Sequence, residues 1–391
     1  MKPYHELLVV EVAGAASGAY AARLFAGFGA HVVKVEPPAG DGTRWTGRAA
    51  GRSSAEFEYL NTGKSSLAVD AASATGRDLV ARLCAKADVV IESFSPGPPA
   101  PLPDAVTAGP TAIRVRISPF GLDGPYSGYG STPFTDFAVA GHMFLTGEPD
   151  RTPLQGAPGQ SLYAAGTHAY IGALTALVAR ERTGRGQDID VSHFEVMASL
   201  HQWTTTRYTH GGVIQTRTGN RYGSLHPSTL YECSDGWVAF AAVGNEPLSR
   251  FLALVGMESI LEDDRFNSGG KRFANADAFD AILGPWMLQH TVGEVVALSQ
   301  AVRAPVAPVN DLRALLADAH LVAREFWERP EGTADPTVFP GPPFRMSWHS
   351  WRLTPAPAIG EGGRGWLALD DDDATLLHDA GLLRYDTHEP G

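Results

Sequence analysis

The stretch from residue 7 to residue 36 carries the pattern that most restricts the fold. Leu7 to Val12 (LLVVEV) is an apolar run of strand length, followed by a Gly/Ala turn. Ala19 to Phe28 then places Tyr20, Leu24, Phe25 and Phe28 at helical spacing, and Gly29 stands where a left-handed helix cap belongs. His31 to Glu36 (HVVKVE) is a second strand-length run. Strand, helix and strand in so short a span form a β-α-β unit, with parallel strands and a right-handed crossover.

The pattern recurs. Ser66 to Asp70 reads as a strand, Thr75 to Lys86 as a helix, Asp88 to Glu92 (DVVIE) as a buried strand and Ile113 to Ser118 (IRVRIS) as another. The fold class is therefore α/β, a doubly wound sheet whose ligands sit beyond the carboxyl ends of the strands. Residues 119–165 are rich in Gly, Pro, Ser and Thr and read as long connecting loops, which usually carry function or an interface. Gly166 to Arg182 is the clearest helix, with Ile171, Leu174, Leu177 and Val178 on one face. A strand over Asp188 to Ser192 and a helix over His193 to Tyr208 follow. Composition shifts near Gly211. Thr229 to Cys233 and Trp237 to Val243 read as a hairpin around Ser234-Asp235-Gly236, and helical stretches follow near Pro247 to Val255, Ala276 to Leu288 and Val292 to Val302. A chain of 391 residues has room for two domains with separate cores. Residues 1–210 make a large domain, 225–320 a smaller α+β domain, and 325–391 a Pro/Gly-rich C-terminal segment.

Charge and cysteine usage narrow the setting. A formal net charge of -12 argues against a general nucleic-acid binder, which needs a basic face. Cys84 and Cys233 lie far apart, with neither zinc-ligand spacing nor a disulfide framework, so a cytoplasmic location is expected. The 13 histidines are scattered without metal-binding spacing, and no metal is expected. No uninterrupted apolar run reaches the roughly 18 residues of a membrane span, and no membrane partner is expected.

Several segments carry a wider resemblance. They are GAHVVKVEPPAGDGTR (Gly29 to Arg44), LNTGKSSLAVD (Leu60 to Asp70), ADVVIESFSPG (Ala87 to Gly97), ISPFGLDGPYS (Ile117 to Ser127) and RERTGRGQDIDVS (Arg180 to Ser192). DDRF (Asp263 to Phe266), APVAPVND (Ala304 to Asp311), FPGPPFRMS (Phe339 to Ser347) and PAPAIGE (Pro355 to Glu361) follow in order. In type and order they resemble the motifs of the family III CoA-transferases, which include formyl-CoA transferases and α-methylacyl-CoA racemases. The resemblance implies a Rossmann-like large domain built from both ends of the chain and a smaller domain from its middle. It implies an interlocked homodimer in which each chain threads through the other. It also implies coenzyme A, carried as acyl-CoA substrate on the large domain, and action on acyl-CoA thioesters and carboxylic acids.

Such a transferase moves CoA between acids through mixed anhydrides, which calls for a carboxylate nucleophile and neutral donors for the oxyanion. The family's nucleophile is the aspartate of an Asp-x-x-x-Gly segment opening a helix. The matching stretch here is Leu162-Tyr163-Ala164-Ala165-Gly166, and leucine cannot bear an anhydride. Gln160, Ser161 and Tyr163 supply no carboxylate either. The racemase branch's Gly-His-Asp falls near Gly130-Ser131-Thr132-Pro133, which has neither His nor Asp. Asp136 is the nearby carboxylate and the candidate catalytic residue, its alternative being a turn or N-cap residue. His142 and His168 are further candidates, His168 reading also as a packed or capping histidine. For CoA, Ala16, Ser17 and Gly18 form the small-residue turn that the family brings to the nucleotide, where backbone N–H groups approach a ligand. Lys34, Arg44 and Lys64 are candidates for phosphate contacts, with surface charge as the alternative. Ser93 and Phe94 stand where the family has the first two residues of Asn-Phe-Arg. Three functions remain open on these residues. One is a CoA-transferase with a displaced nucleophile such as Asp136. The second is a non-catalytic subunit forming a heterodimer with an Asp-bearing paralogue. The third is a repurposed isomerase, lyase or acyltransferase whose Leu162 lines an apolar acyl cavity.

Overall fold

The computed structural model describes residues 3–47, 53–93, 109–221, 223, 225–241, 244–332, 337–348 and 351–385. The chain divides into two compact units. One comprises Met1–His142, Gln155–Gly212 and Arg324–Gly391, the other Met143–Leu154 and Val213–Ala323.

The first unit is a doubly wound α/β sheet. Its parallel strands are β1 (Leu8–Ala13), β2 (His31–Glu36), β3 (Ser65–Val69), β4 (Val89–Ser93), β5 (Ile113–Ser118) and β6 (Gln187–Ser192). They lie in the order β3-β2-β1-β4-β5-β6. The order reverses beside β1, so the β1–β4 boundary is the topological switch point. Along β1, alternate residues face opposite sides of the sheet. Val9 joins a core with α1 (Ala16–Gly27), while Leu8 and Val10 join another on the far face. Helix α2 (Ala55–Asn61) precedes β3, and α3 (Ala74–Cys84) covers the far face with Leu79, Val80 and Leu83.

Residues 119–165 contain more regular structure than their composition suggests. Helices α4 (Pro133–Val139) and α5 (His142–Leu145) form here, and α6 (Gln160–Thr183) begins six residues before the expected Gly166. Thr132 starts α4 with a capping box through Thr135, and Pro133 sits at the first helical position, where its missing N–H costs nothing. The face of α6 also differs from expectation. Of the four residues expected on one face, Leu177 is buried and Leu174 packs against the core, but Ile171 and Val178 are exposed, and most of the buried face is small: Ser161, Ala165, Ala169, Ala173 and Ala176, with Tyr170 beside them. Small residues allow α1 to approach closely: a Cβ on Gly166 would lie 2.5 Å from the Ser17 carbonyl oxygen. α6 is long and apolar enough to cross a membrane by length and composition, although Thr167, His168 and Thr175 interrupt its apolar run. Here that apolar length packs against α1, β5 and β6. The single helix expected over His193 to Tyr208 is two, α7 (His193–Ser199) and α8 (Gln202–Gly211).

Charge is buried at the centre of this unit. β1 and β2 pair Glu11 with Lys34. The Glu11 carboxylate accepts from Lys34 Nζ at 2.9 Å and from Lys64 Nζ at 2.6 Å, with all three side chains buried. Lys34 also meets Asp41 at 2.7 Å, and Lys64 donates to the Ala19 carbonyl and to Asn61 Oδ1. Burial opposes the charge on Glu11, but the two ammonium groups outweigh it and hold the carboxyl below its ordinary range. A second cluster joins Glu36 to Arg44 through two hydrogen bonds, at 2.8 and 2.6 Å, and to Ser66. Arg44 and Ser66 in turn bond the backbone of Pro357 and Gly360, which ties the C-terminal segment to the sheet.

The second unit folds around an antiparallel sheet of β7 (Thr229–Cys233), β8 (Gly236–Phe240) and β9 (Val306–Pro308). Helices α9 (Asn245–Leu254), α10 (Gly269–Ala274), α11 (Ala276–Met287) and α12 (Val292–Ala301) follow β8 in sequence, and Phe240, Phe251, Phe266 and Phe279 fill its core. Residues 143–154 belong to this unit because Arg217 binds the carbonyls of Phe144, Glu148 and Pro149. The C-terminal segment forms the hairpin β10 (Trp327–Glu328) and β11 (Phe339–Pro340), and its last strand, β12 (Leu383–Arg384), pairs antiparallel with β3.

Removing Glu11 leaves two buried ammonium groups without a counter-charge. Glu11→Gln should therefore lower the unfolding free energy of the full chain by about 3–5 kcal/mol, read from denaturant unfolding. An unchanged midpoint would show that the lysines are relieved by other groups.

Candidate active site

The carboxyl ends of β1 and β4 bring four of the candidate residues together. The turn after β1 is clamped by Ser93: Gly14 N–H donates to the Ser93 carbonyl at 3.1 Å, and Ala15 N–H to Ser93 Oγ at 3.2 Å. Ser93 Oγ returns a bond to the Ala15 carbonyl. Ala16, Ser17 and Gly18 form the first turn of α1, and its cap residue Ala15 has no side chain that could accept from their N–H groups. Gly18 faces Ser93 so closely that a Cβ there would lie 2.6 Å from Ser93 Oγ. Phe94 lies outside the described residues.

The three candidate cations lie inside the protein rather than on its surface. Lys34 and Lys64 are committed to Glu11, and Arg44 to Glu36 while its guanidinium stacks 3.9 Å from the Phe57 ring. Burial and the neighbouring Lys34 charge depress Lys64 to about 8 despite Glu11. Burial likewise opposes the charge on Lys34, but Glu11 and Asp41 raise its pKa well above the usual lysine range.

Asp136 sits in the first turn of α4 and is 1% exposed. Its carboxylate accepts from Ser131 Oγ and, at 2.7 Å, from Ser161 Oγ on α6. His193 Nδ1 stands 3.6 Å from Oδ2. Burial alone would raise the Asp136 pKa, but these three donors outweigh it and hold the group ionised. The other ring nitrogen of His193, Nε2, lies 3.2 Å from Ser17 Oγ. A continuous chain of polar contacts therefore runs from Asp136 through His193 to the α1 turn.

Leu162 lies in the first turn of α6, partly buried among Ala16, Ala19, Leu60, Tyr20, Tyr59 and Tyr163. The Tyr20 and Tyr163 rings meet edge to face at 5.0 Å, and Tyr20 and Tyr59 stack at 6.4 Å. The surroundings of residue 162 are apolar and aromatic. His168 is exposed in the third turn of α6, where its ring meets the Ala164 carbonyl one turn back. His142 lies against His201 at 4.0 Å between ring centres.

Sequence reasoning brought out Asp136, Ser17 and Ser93 separately, but not His193, Ser131 or Ser161. One signal for His193 was present: it is the first helical residue after β6, at the ligand end of the sheet. Nothing in the local sequence of Ser131 or Ser161 marks them, because their partner is reached only through the fold.

Comparison with known proteins follows the same outline. A family model, CoA-transferase family III, matches residues 4–362. The chain is 31% identical to the succinyl-CoA:(R)-benzylsuccinate CoA-transferase subunit BbsE of Thauera aromatica, over 89% of each chain. It is 30% identical to the succinyl-CoA–D-citramalate CoA-transferase of Chloroflexus aurantiacus, over 96% of this chain and 97% of the other. Among solved structures, a CAIB/BAIF family protein from Brucella suis superposes with a TM-score of 0.84 at 31% identity, covering 93% of this chain and 98% of that one. The chain therefore belongs to CoA-transferase family III.

Proposed function

We propose that this protein binds acyl-CoA thioesters at the α1 turn and acts on them and on carboxylic acids as a CoA-transferase, with residue 162 taking no part as a nucleophile. The observation that carries the reading is the turn itself. Uncapped N–H groups at the head of a twelve-residue helix receive an anion or a polarised carbonyl, and Gly18 lets the backbone approach Ser93. Lys34, Arg44 and Lys64 support the CoA site from beneath, their charges balanced by Glu11, Asp41 and Glu36. The apolar ring around Leu162 fits an acyl group, and leucine excludes the aspartyl anhydride of relatives. Two buried, unbridged cysteines agree with a cytoplasmic setting.

Calorimetry with succinyl-CoA should detect binding to the wild-type chain. Gly18→Ala, whose new methyl group meets Ser93, should weaken it at least tenfold, on the order of 1.4 kcal/mol. Equal affinities for the two proteins would remove the turn from the binding site.

A second reading is that the chain is one subunit of a heteromeric transferase whose carboxylate comes from a paralogue. Two observations favour it. The Thauera relative bears the word subunit in its name, and Ile171, Val178, Trp203 and Tyr208 present apolar surface to solvent. An interlocked homodimer would cover the same surface. Leu162→Asp separates the alternatives. If residue 162 faces the acyl carbon, the variant alone should gain a hydroxylamine-sensitive adduct with succinyl-CoA that the wild type lacks. An inert, folded variant would count against an acyl site at this position.

A further inference from the structure

We propose that Ser17, His193 and Asp136 form a nucleophilic triad in which Ser17 accepts the acyl group of an acyl-CoA as an ester. The inference rests on the acyl-CoA reading for its substrate class, but its geometry stands on this chain's own side chains.

Three observations carry it. The first is the direction of the contacts. Ser17 Oγ lies 3.2 Å from His193 Nε2, and Asp136 Oδ2 lies 3.6 Å from Nδ1 on the opposite side of the same ring. A carboxylate beside Nδ1 keeps the proton there and leaves Nε2 to accept from the serine hydroxyl. These distances are as loose as such contacts commonly are before substrate binds. The second is placement. Ser17 follows β1, Asp136 lies on the helix after β5, and His193 follows β6 directly. All three stand beyond the carboxyl ends of parallel strands, and Ser17 stands at the switch point. The chain order nucleophile, acid, base is that of the α/β-hydrolases, although Ser17 stands in the helical first turn of α1 and not on the strained turn that carries the serine there. The third is the supply of oxyanion donors. The first-turn N–H groups of α1 include that of Gly18, the residue after the nucleophile, which is where such a hole draws one of its donors.

A structural role explains less. Burying Asp136 accounts for its three donors Ser131, Ser161 and His193, but not for the contact that the far side of the His193 ring makes with Ser17. In this reading Asp136 is not a displaced nucleophile. It is a positioning residue that orients the imidazole and balances its charge.

The step balances without a cofactor. Ser17 Oγ passes its proton to His193 Nε2 and bonds to the thioester carbonyl carbon. The C–S bond breaks, and the CoA thiolate takes the proton from Nε2 and leaves as the thiol. Water, activated by Nε2, then attacks the Ser17 ester, giving the carboxylic acid and restoring the hydroxyl. A second alcohol or thiol in place of water would make the reaction an acyl transfer. Ser17 is 0% exposed, so the side chains over it must part for a thioester to enter.

The test uses the full chain, a fluorophosphonate probe with peptide mapping, and release of free CoA thiol from succinyl-CoA. The expected result is a label on Ser17 and thiol release, both reduced about a thousandfold in Ser17→Ala and His193→Gln. Asp136→Asn should lose rate with unchanged succinyl-CoA affinity, and Asp136→Glu should recover part of it. Melting curves matching the wild type establish that these variants fold. A label elsewhere, no label on a folded wild type, or thiol release that survives Ser17→Ala overturns the triad. A label on Ser17 without succinyl-CoA binding keeps the triad and removes the acyl-CoA reading.

Discussion

The large unit depends on one carboxylate shared by two buried ammonium groups. Glu11 lies on the central strand, and its partners come from β2 and from the loop before β3. Three segments of the sheet are therefore joined at a single point. Lys64 extends the connection to the Ala19 carbonyl and to Asn61, fixing the first turns of α1 against the end of α2. Burying such a cluster is costly, and equally packed hydrophobic residues can be as stable. What it supplies here is position. The α1 turn, with Ser17 and Gly18, is held by ionic bonds beneath it and by Ser93 beside it.

Much of the fold was readable because its signals are local. The opening β-α-β unit, strand Ile113 to Ser118 and hairpin strand Thr229 to Cys233 depend on short apolar runs and turn residues, which act over a few positions. α6 was harder. Its large apolar residues marked the packed face only in part, since Leu174 and Leu177 face the core while Ile171 and Val178 do not, and periodicity assumes that all bulky groups are buried. Beside Tyr170 and Leu177 the packed face is mostly alanine, which carries little hydropathy but allows helix and sheet to come close. The loops before it concealed α4, whose helical start comes from Thr132, Pro133 and Thr135 rather than from any apolar stripe.

The site was legible in parts and not as a whole. Ala16 to Gly18 and Ser93 could be found from the turn chemistry that small residues permit. The absence of a carboxylate at Leu162 was plain from the sequence, and its aromatic surroundings were not, since Tyr20 and Tyr59 come from α1 and α2. Lys34 and Lys64 could be read as ligand contacts or as surface charge, and neither anticipated their pairing inside the sheet. Asp136, His193 and Ser17 belong to segments that meet only when β1, β5 and β6 lie side by side. No spacing rule along the chain relates them.

The C-terminal segment also has a consequence for biosynthesis. β3 is the outer parallel strand, and its free edge is closed from the C-terminal segment, by Leu383 and Arg384 and by the Glu361 carbonyl, while Ser66 waits for the backbone of Gly360. The six parallel strands are all translated by Ser192. At 5–20 residues per second the ribosome needs roughly another 10–40 s to deliver the closing strand. Throughout that interval a nascent sheet exposes an unpaired apolar edge of the kind that recruits other chains. The intervening unit, Val213–Ala323, has a core of its own and can form in the meantime. The arrangement makes the end of the message the point at which the first-made part of the protein becomes safe from aggregation.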